Sequence, residues 1–261
     1  MGNHSRAELR VETITLPETG ENVRLLRVVL HRSRIDMGMV RELSNLLDRL
    51  EDDPQPGVLI FQGAGDRFCE GIDFAEFRPD APMDIHGFHK WEQLCSRVER
   101  LNRPTLACLQ GPVVGGGLQL ALCCDVRLGT PGTTLQLDEV HKGFLPGMAT
   151  YRLAKFIGLG RARRMVLQAR VVDTEEALSW GLIDRVIATQ SSEQTTGLSP
   201  EVLSEVAAFG PAHPIAVQLA RRLLDEGFGD SFEAAIGHFL AAQHRAISQS
   251  AFLETLAKAR S

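Results

Sequence analysis

The sequence predicts an α/β fold, a parallel sheet covered by helices, followed by a helical C-terminal region. Three observations carry that prediction. Short apolar runs at Val58-Leu59-Ile60-Phe61 and Leu106-Ala107-Cys108-Leu109 alternate with segments of helical spacing, and strands apolar on both faces belong to parallel sheets with helices on either side. A glycine triplet, Gly115-Gly116-Gly117, heads an alanine- and leucine-rich helix just after the second run. Beyond about Gly147 the pattern becomes almost wholly helical.

The elements follow in order. Residues 9–16 alternate apolar and polar, residues 23–30 are β-rich, and the turn-like Pro17-Glu18-Thr19-Gly20 separates them, so the two are either a hairpin or neighbouring strands. Met39, Leu43, Leu46, Leu47 and Leu50 recur at helical spacing, closed by Asp52-Asp53-Pro54 before the strand 58–61. A second cycle runs through a helix over 85–101, the strand 105–109, the glycine-led helix to Cys124 and a strand at 126–128. Helices are then expected at 151–157, 161–167, 174–180, 199–209, 212–224 and, as one long amphipathic helix, 231–259, with a lone strand at 183–187. The polar stretch 189–197 reads as a linker. This divides the chain into an α/β core over 1–190 and a C-terminal helical oligomerisation region over 198–261. Phe232, Ile236, Phe239 and Leu240 are candidates for packing on the core or on another subunit, whereas Trp91 and Trp180 read as core residues.

Bulk properties narrow the function classes. With 261 residues, 44% hydrophobic and 23% charged, the chain has the composition of an ordinary globular protein. Its net charge of -5 lacks the basic excess that nucleic-acid binding requires. No run approaches a membrane span, and Met1 to Arg6 leads into a polar segment rather than a signal-peptide core, so a cytoplasmic protein is expected. Five cysteines without C-x-x-C spacing read as reduced thiols rather than a zinc site. Cys69 lies in a loop where a nucleophilic role has to be weighed.

The glycine triplet is the strongest local signal. Each glycine in a helix costs about 0.5–1 kcal/mol relative to alanine. Such a segment is kept where the backbone must lie bare against something, either a packed strand or a ligand. The first turn of a helix has unpaired N–H donors, so glycines there suit a negatively charged oxygen. A second glycine-bearing loop, Gly63-Ala64-Gly65-Asp66-Arg67-Phe68-Cys69-Glu70-Gly71-Ile72-Asp73-Phe74, follows the strand 58–61. Loops after successive parallel strands emerge at one sheet edge, so the two can converge.

That pairing resembles the crotonase superfamily of enoyl-CoA hydratases and isomerases, and the resemblance extends from about Val23 to Ala259. Further matching pieces are Thr134-Leu135-Gln136-Leu137-Asp138-Glu139, Gly143-Phe144-Leu145-Pro146-Gly147 and Glu176-Ala177-Leu178-Ser179-Trp180-Gly181-Leu182-Ile183-Asp184. The resemblance implies a spiral of β-β-α units, an oxyanion hole made by the Ile72 and Gly116 N–H groups, and a coenzyme A or pantetheine arm threaded past Glu70, Gly71, Asp73 and Phe74. It implies no metal or redox cofactor, coenzyme A or phosphopantetheine being part of the substrate. The implied partners are an acyl-CoA or an acyl-carrier protein, with a homotrimer or hexamer as the assembly.

The acid–base positions depart from the family's hydratases. Those use two glutamates; here the first position is Gln119 and the second Glu139. An amide can hold water but cannot shuttle a proton. Hydration or dehydration through Glu139 alone is the expected reaction, with double-bond isomerisation, decarboxylation through Lys90 and His244, or a catalytically weak auxiliary subunit as alternatives. Phe68 to Phe74 also looks like the dehydratases of polyketide β-branching, a lean toward secondary metabolism. Asp138 reads as a cap, and Glu139 alternatively as a carboxylate at a helix N-terminus. His86, His89, His141 and His244 read by default as solvated or interface residues.

Overall fold

A computed structural model describes residues 6–16, 20, 22–76, 85–188, 198–210 and 212–259. The turn residues Pro17, Glu18 and Thr19 and the linker 189–197 lie outside the described residues.

Strands β1 (Ala7–Thr15) and β2 (Asn22–Leu30) pair antiparallel in a continuous register from Ala7↔Leu30 to Thr15↔Asn22, resolving the opening pair as a hairpin. Helix α1 (Met37–Glu51) starts where the Asp36 carboxylate accepts the Met39 N–H at 2.6 Å, a cap worth about 1 kcal/mol. It buries the predicted Met39, Leu43, Leu46, Leu47 and Leu50 stripe. Strand β3 (Val58–Gly63) adds parallel to β2, and helix α2 (His86–Glu99) crosses to β4 (Thr105–Leu109), parallel to β3. A short β5 (Pro112–Val114) precedes α3 (Gly116–Leu122), and β6 (Val126–Gly129) completes the run beside β4.

Period-2 alternation along β3 and β4 divides the interior into two cores. Leu59, Phe61, Ala107 and Leu109 join the core beneath α1, α2 and α3. Val58, Ile60, Leu106 and Cys108 face the other way, against Val202 and Val206 of α6 (Pro200–Ala208).

The second half holds β7 (Thr134–Gln136), α4 (Ala149–Leu167), β8 (Val172–Asp173), α5 (Thr174–Trp180) and β9 (Arg185–Val186). β9 joins the main sheet, whose order is β1-β2-β3-β4-β6-β9, while β5, β7 and β8 form a second sheet. The three strands of that small sheet escape a reading by periodicity because each is only two or three residues long. α4 bends at Gly158, whose φ of 75° is non-helical, so the two expected helices are two arms of one bent element.

α7 (Pro214–Glu226) is stapled to the main sheet by Arg221. Its guanidinium donates to the Leu101, Val98 and Arg103 carbonyls at 3.0, 3.1 and 3.3 Å and pairs with Asp125 at 2.8 Å. The long C-terminal helix expected over 231–259 is instead two, α8 (Phe232–Ile247) and α9 (Ser250–Lys258), because the chain turns extended at Gln249, ψ 149°. Phe232, Ile236, Phe239 and Leu240 are 75, 43, 49 and 59% exposed, which removes packing on this chain's own core from the two expectations. Trp91 and Trp180 are buried as expected.

Candidate active site

The loop after β3 folds back beside the start of α1. Ile72 pairs with Ile35 in a parallel bridge: the Ile35 N–H donates to the Gly71 carbonyl at 2.8 Å, and the Asp73 N–H donates to the Ile35 carbonyl at 2.9 Å. Backbone polar groups alternate sides along an extended strand. The Ile72 N–H is therefore turned away from Ile35. Cys69 bridges Val113 in the same way, its carbonyl accepting the Val114 N–H at 3.0 Å.

These two bridges bring both glycine loops into contact. Gly71 has φ +88°, and a Cβ there would meet the Val114 carbonyl oxygen at 3.0 Å and the Gly116 nitrogen at 3.7 Å. Only a glycine permits that approach. Gly115 is held by β7, its N–H donating to the Gln136 carbonyl at 3.0 Å, and it caps α3. Gly116 is then the first helical residue, whose N–H has no intrahelical acceptor. Among the described residues neither the Ile72 nor the Gly116 N–H donates to a backbone carbonyl.

Glu139 arrives from β7 as the first residue of a single 3-10 turn, Glu139–Lys142. It is only 4% exposed, and its Oε1 sits against the Cα of Gly115. Burial pushes the Glu139 carboxyl above its usual range, the neighbouring Asp138 carboxylate adding to the effect and Lys142 opposing it. Two buried polar atoms without a partner flank the glycine pair: Glu139 Oε2, and the indole nitrogen of Trp91, 3.4 Å from where a Cβ on Gly116 would lie. A buried unpaired polar atom costs about 1–3 kcal/mol, which a bound ligand can relieve.

One pocket gathers Glu70, Gly71, Ile72, Phe74 and Glu139, with Lys142 at its edge. Gly116 lies one residue beyond the lining residue Gly115, and neither Asp73 nor Gln119 lines the pocket. Asp73 instead closes an Asx turn, accepting the Ala75 N–H at 3.1 Å. Glu70 is held by Ser33 at 3.0 Å and Arg67 at 2.6 Å. Phe74 meets Phe144 edge to face at 5.6 Å. Asp138 does occupy the cap position of the 3-10 turn, but its side chain pairs with Lys142 at 2.8 Å rather than bonding the turn's backbone.

The remaining candidates are elsewhere. Cys69 is fully buried, and burial pushes its thiol up to about 12, which removes the nucleophile reading. Lys90 and His89 line an open groove between α1 and α2 together with Arg97 and Arg100. His141 is exposed with its ring nitrogen 3.3 Å from the Leu167 carbonyl oxygen, and His244 is exposed on α8, which packs on α7. The structure therefore does not bring Lys90 and His244 together at Glu139.

Sequence reasoning missed three residues. Arg34 and Lys142 both line the pocket; Arg34 arrives beside the Ile35–Ile72 bridge, a long-range pairing with no local signal, whereas Lys142 lies three residues beyond Glu139 and is legible as a charge beside a candidate. Glu92 accepts the Gln119 side-chain amide at 2.6 Å.

A buried carboxylate beside two glycine-opened backbone loops, next to a small sheet that accompanies a larger, mostly parallel one, is the arrangement of the crotonase class of α/β proteins. The chain belongs to the enoyl-CoA hydratase/isomerase family, whose model matches residues 24–251. An enoyl-CoA hydratase from Amycolatopsis orientalis is 34% identical over 212 residues, covering 81% of this chain and 90% of the relative. A crotonyl-CoA hydratase from Syntrophomonas wolfei is 30% identical over 223 residues, covering 82% of this chain and 84% of the relative. The crystal structure of an enoyl-CoA hydratase from Bacillus anthracis superposes with a TM-score of 0.78 at 26% identity, over 97% of this chain and 95% of that one. Among the described residues no helix is long and apolar enough to cross a membrane.

Proposed function

We propose that the protein interconverts β-hydroxyacyl and enoyl thioesters, with Glu139 as the sole proton carrier and the Ile72 and Gly116 N–H groups as the oxyanion hole. The observation that carries this reading is the Glu139 carboxylate buried against Gly115, beside the two donor loops. In the dehydration direction the thioester carbonyl accepts both N–H groups, and Glu139 removes a proton from Cα. The electron pair is held as an enolate, stabilised by donors each worth about 3–4 kcal/mol in comparable sites. The pair then returns to form the Cα–Cβ double bond as the Cβ–O bond breaks. The departing hydroxyl takes the proton back from Glu139, which leaves water and an ionised carboxylate. Hydration is the reverse. Gln119 holds the water or hydroxyl without exchanging a proton.

Isomerisation is the second reading, favoured by the glutamine at position 119, which leaves Glu139 as the single carboxylate of the two acid–base positions: Glu139 alone can carry a proton from Cγ to Cα. The relatives' printed names support a coenzyme A ester as the substrate. Arg34 and Lys142 at the pocket are suited to a phosphate of that arm or of a carrier protein's phosphopantetheine. An acyl-carrier-protein substrate and a place in polyketide assembly are the alternatives. The test is turnover of crotonyl-CoA and 3-hydroxybutyryl-CoA by the purified chain and by Glu139→Gln. Turnover that survives undiminished in the variant removes Glu139 from the chemistry.

A further inference from the structure

The Gln119 side chain is buried, yet it has a fixed partner on another helix. Its Nε2 donates to Glu92 Oε1 at 2.6 Å; the same oxygen accepts the Met148 N–H at 2.8 Å, and the other carboxylate oxygen lies 3.3 Å from Arg152. Arg152 is itself buried and gripped by Glu99 at 2.6 and 2.9 Å. We propose that Glu92 is a positioning residue that clamps the Gln119 amide by its NH2 group, so that position 119 presents only a hydrogen-bond acceptor to the reacting water or hydroxyl. This rests on the reading of the site given above.

The chemistry of the pair dictates the orientation. An ionised carboxylate accepts and never donates, so the amide end facing Glu92 must be nitrogen. Gln119 Oε1 is consequently turned to the Gly143–Gly147 turn that follows Glu139, 3.0 Å from where a Cβ on Gly147 would lie. Gly147, at φ +50°, leaves the space that both side chains use, since a Cβ there would also collide with Glu92 Oε1. Gln119 stands one helical turn from Gly115, the glycine that Glu139 packs against, and its N–H donates to the Gly115 carbonyl at 2.9 Å. An unclamped glutamine offers both a donor and an acceptor. Clamped, it selects a ligand group that can donate there: water or a β-hydroxyl, not a β-carbonyl or a carboxylate.

Two readouts test the assignment. In 15N spectra of the intact protein, the Gln119 side-chain amide pair, identified by its absence in Gln119→Glu, should be shifted and slow to exchange in the wild type and move to the free-glutamine position in Glu92→Ala. An unmoved signal overturns the clamp. In kinetics with 3-hydroxybutyryl-CoA, Glu92→Ala should lower kcat about tenfold with KM within about twofold. Gln119→Glu alone sets two carboxylates against each other and should lose activity. The swap Glu92→Gln with Gln119→Glu restores an amide–carboxylate pair and should recover at least about tenfold over Gln119→Glu, a coupling that two independent structural defects cannot produce. A swap no better than the product of its single variants overturns the proposal. If the wild type turns over neither crotonyl-CoA nor 3-hydroxybutyryl-CoA, the reading of the reaction falls, while the amide signal still decides the role of Glu92.

Discussion

The Glu139 Oε1 occupies the space where a side chain on Gly115 would begin. Glu139 and the N-terminus of α3 are thus positioned by one contact. Gly115→Ala should displace Glu139 and strain a backbone at φ +55°. We expect kcat to fall by about a hundredfold or more, in line with the cost of misplacing a reacting group, measured with crotonyl-CoA in a variant whose circular dichroism matches wild type.

Burial holds the Glu139 carboxyl above its usual range, and this couples activity and stability to pH with opposite signs. As a base it must be ionised, so kcat/KM should fall on the acid side at a pH above the ordinary glutamate value of about 4.3. In the folded protein the neutral acid is favoured. The stability it contributes is complete below the unfolded-state pKa and is lost as pH rises through the raised folded-state value. Glu139→Gln should therefore melt higher than wild type at neutral pH, with the gap closing toward pH 4, while turnover falls by about 10²–10⁴-fold. A variant melting at or below wild type at pH 7.5 contradicts this.

Adjacent glycines should respond unequally to alanine. A Cβ on Gly117 meets backbone, the Cys69 carbonyl carbon at 2.8 Å, whereas one on Gly116 meets the flexible end of Ile35 at 2.6 Å and the Trp91 indole at 3.4 Å. Denaturant titration should show Gly117→Ala costing about 3 kcal/mol and Gly116→Ala about 1 kcal/mol.

Arg221 ties α7 to the ends of α2 and β4 through the Val98, Leu101 and Arg103 carbonyls. Arg221→Met should cost about 3 kcal/mol, seen as a melting temperature lower by roughly 6–12 °C.

Phe232, Phe239 and Leu240 of α8 and Phe252 and Leu253 of α9 are large apolar side chains left exposed, and burying such residues favours self-association. Light scattering should give a trimer or hexamer, and Phe239→Glu should shift it toward smaller species.

How much was legible from residues alone follows from the range of the interactions. Helix α1 was readable because its apolar stripe, Met39 to Leu50, is a local pattern; its Asp36 cap is local too. The strands at 58–61 and 105–109 were readable for the same reason. β5, β7 and β8 were not, being too short to show a period, and neither was the break at Gln249 inside a continuous amphipathic pattern. Both glycine loops and Glu139 are legible as chain motifs.

By itself, then, the sequence determined the alternation of strands and helices, the family, and the glycine loops and Glu139 as candidates, because these are encoded in spacing and in glycines whose cost demands a reason. Tertiary structure decided what those residues can do. The Ile35–Ile72 bridge turns the Ile72 N–H away from Ile35, burial raises the Glu139 carboxyl, and Glu92 takes hold of Gln119 from a helix 27 residues earlier in the chain. Each of these depends on which segments meet in space, and dielectric and hydrogen-bond direction exist only once they have met.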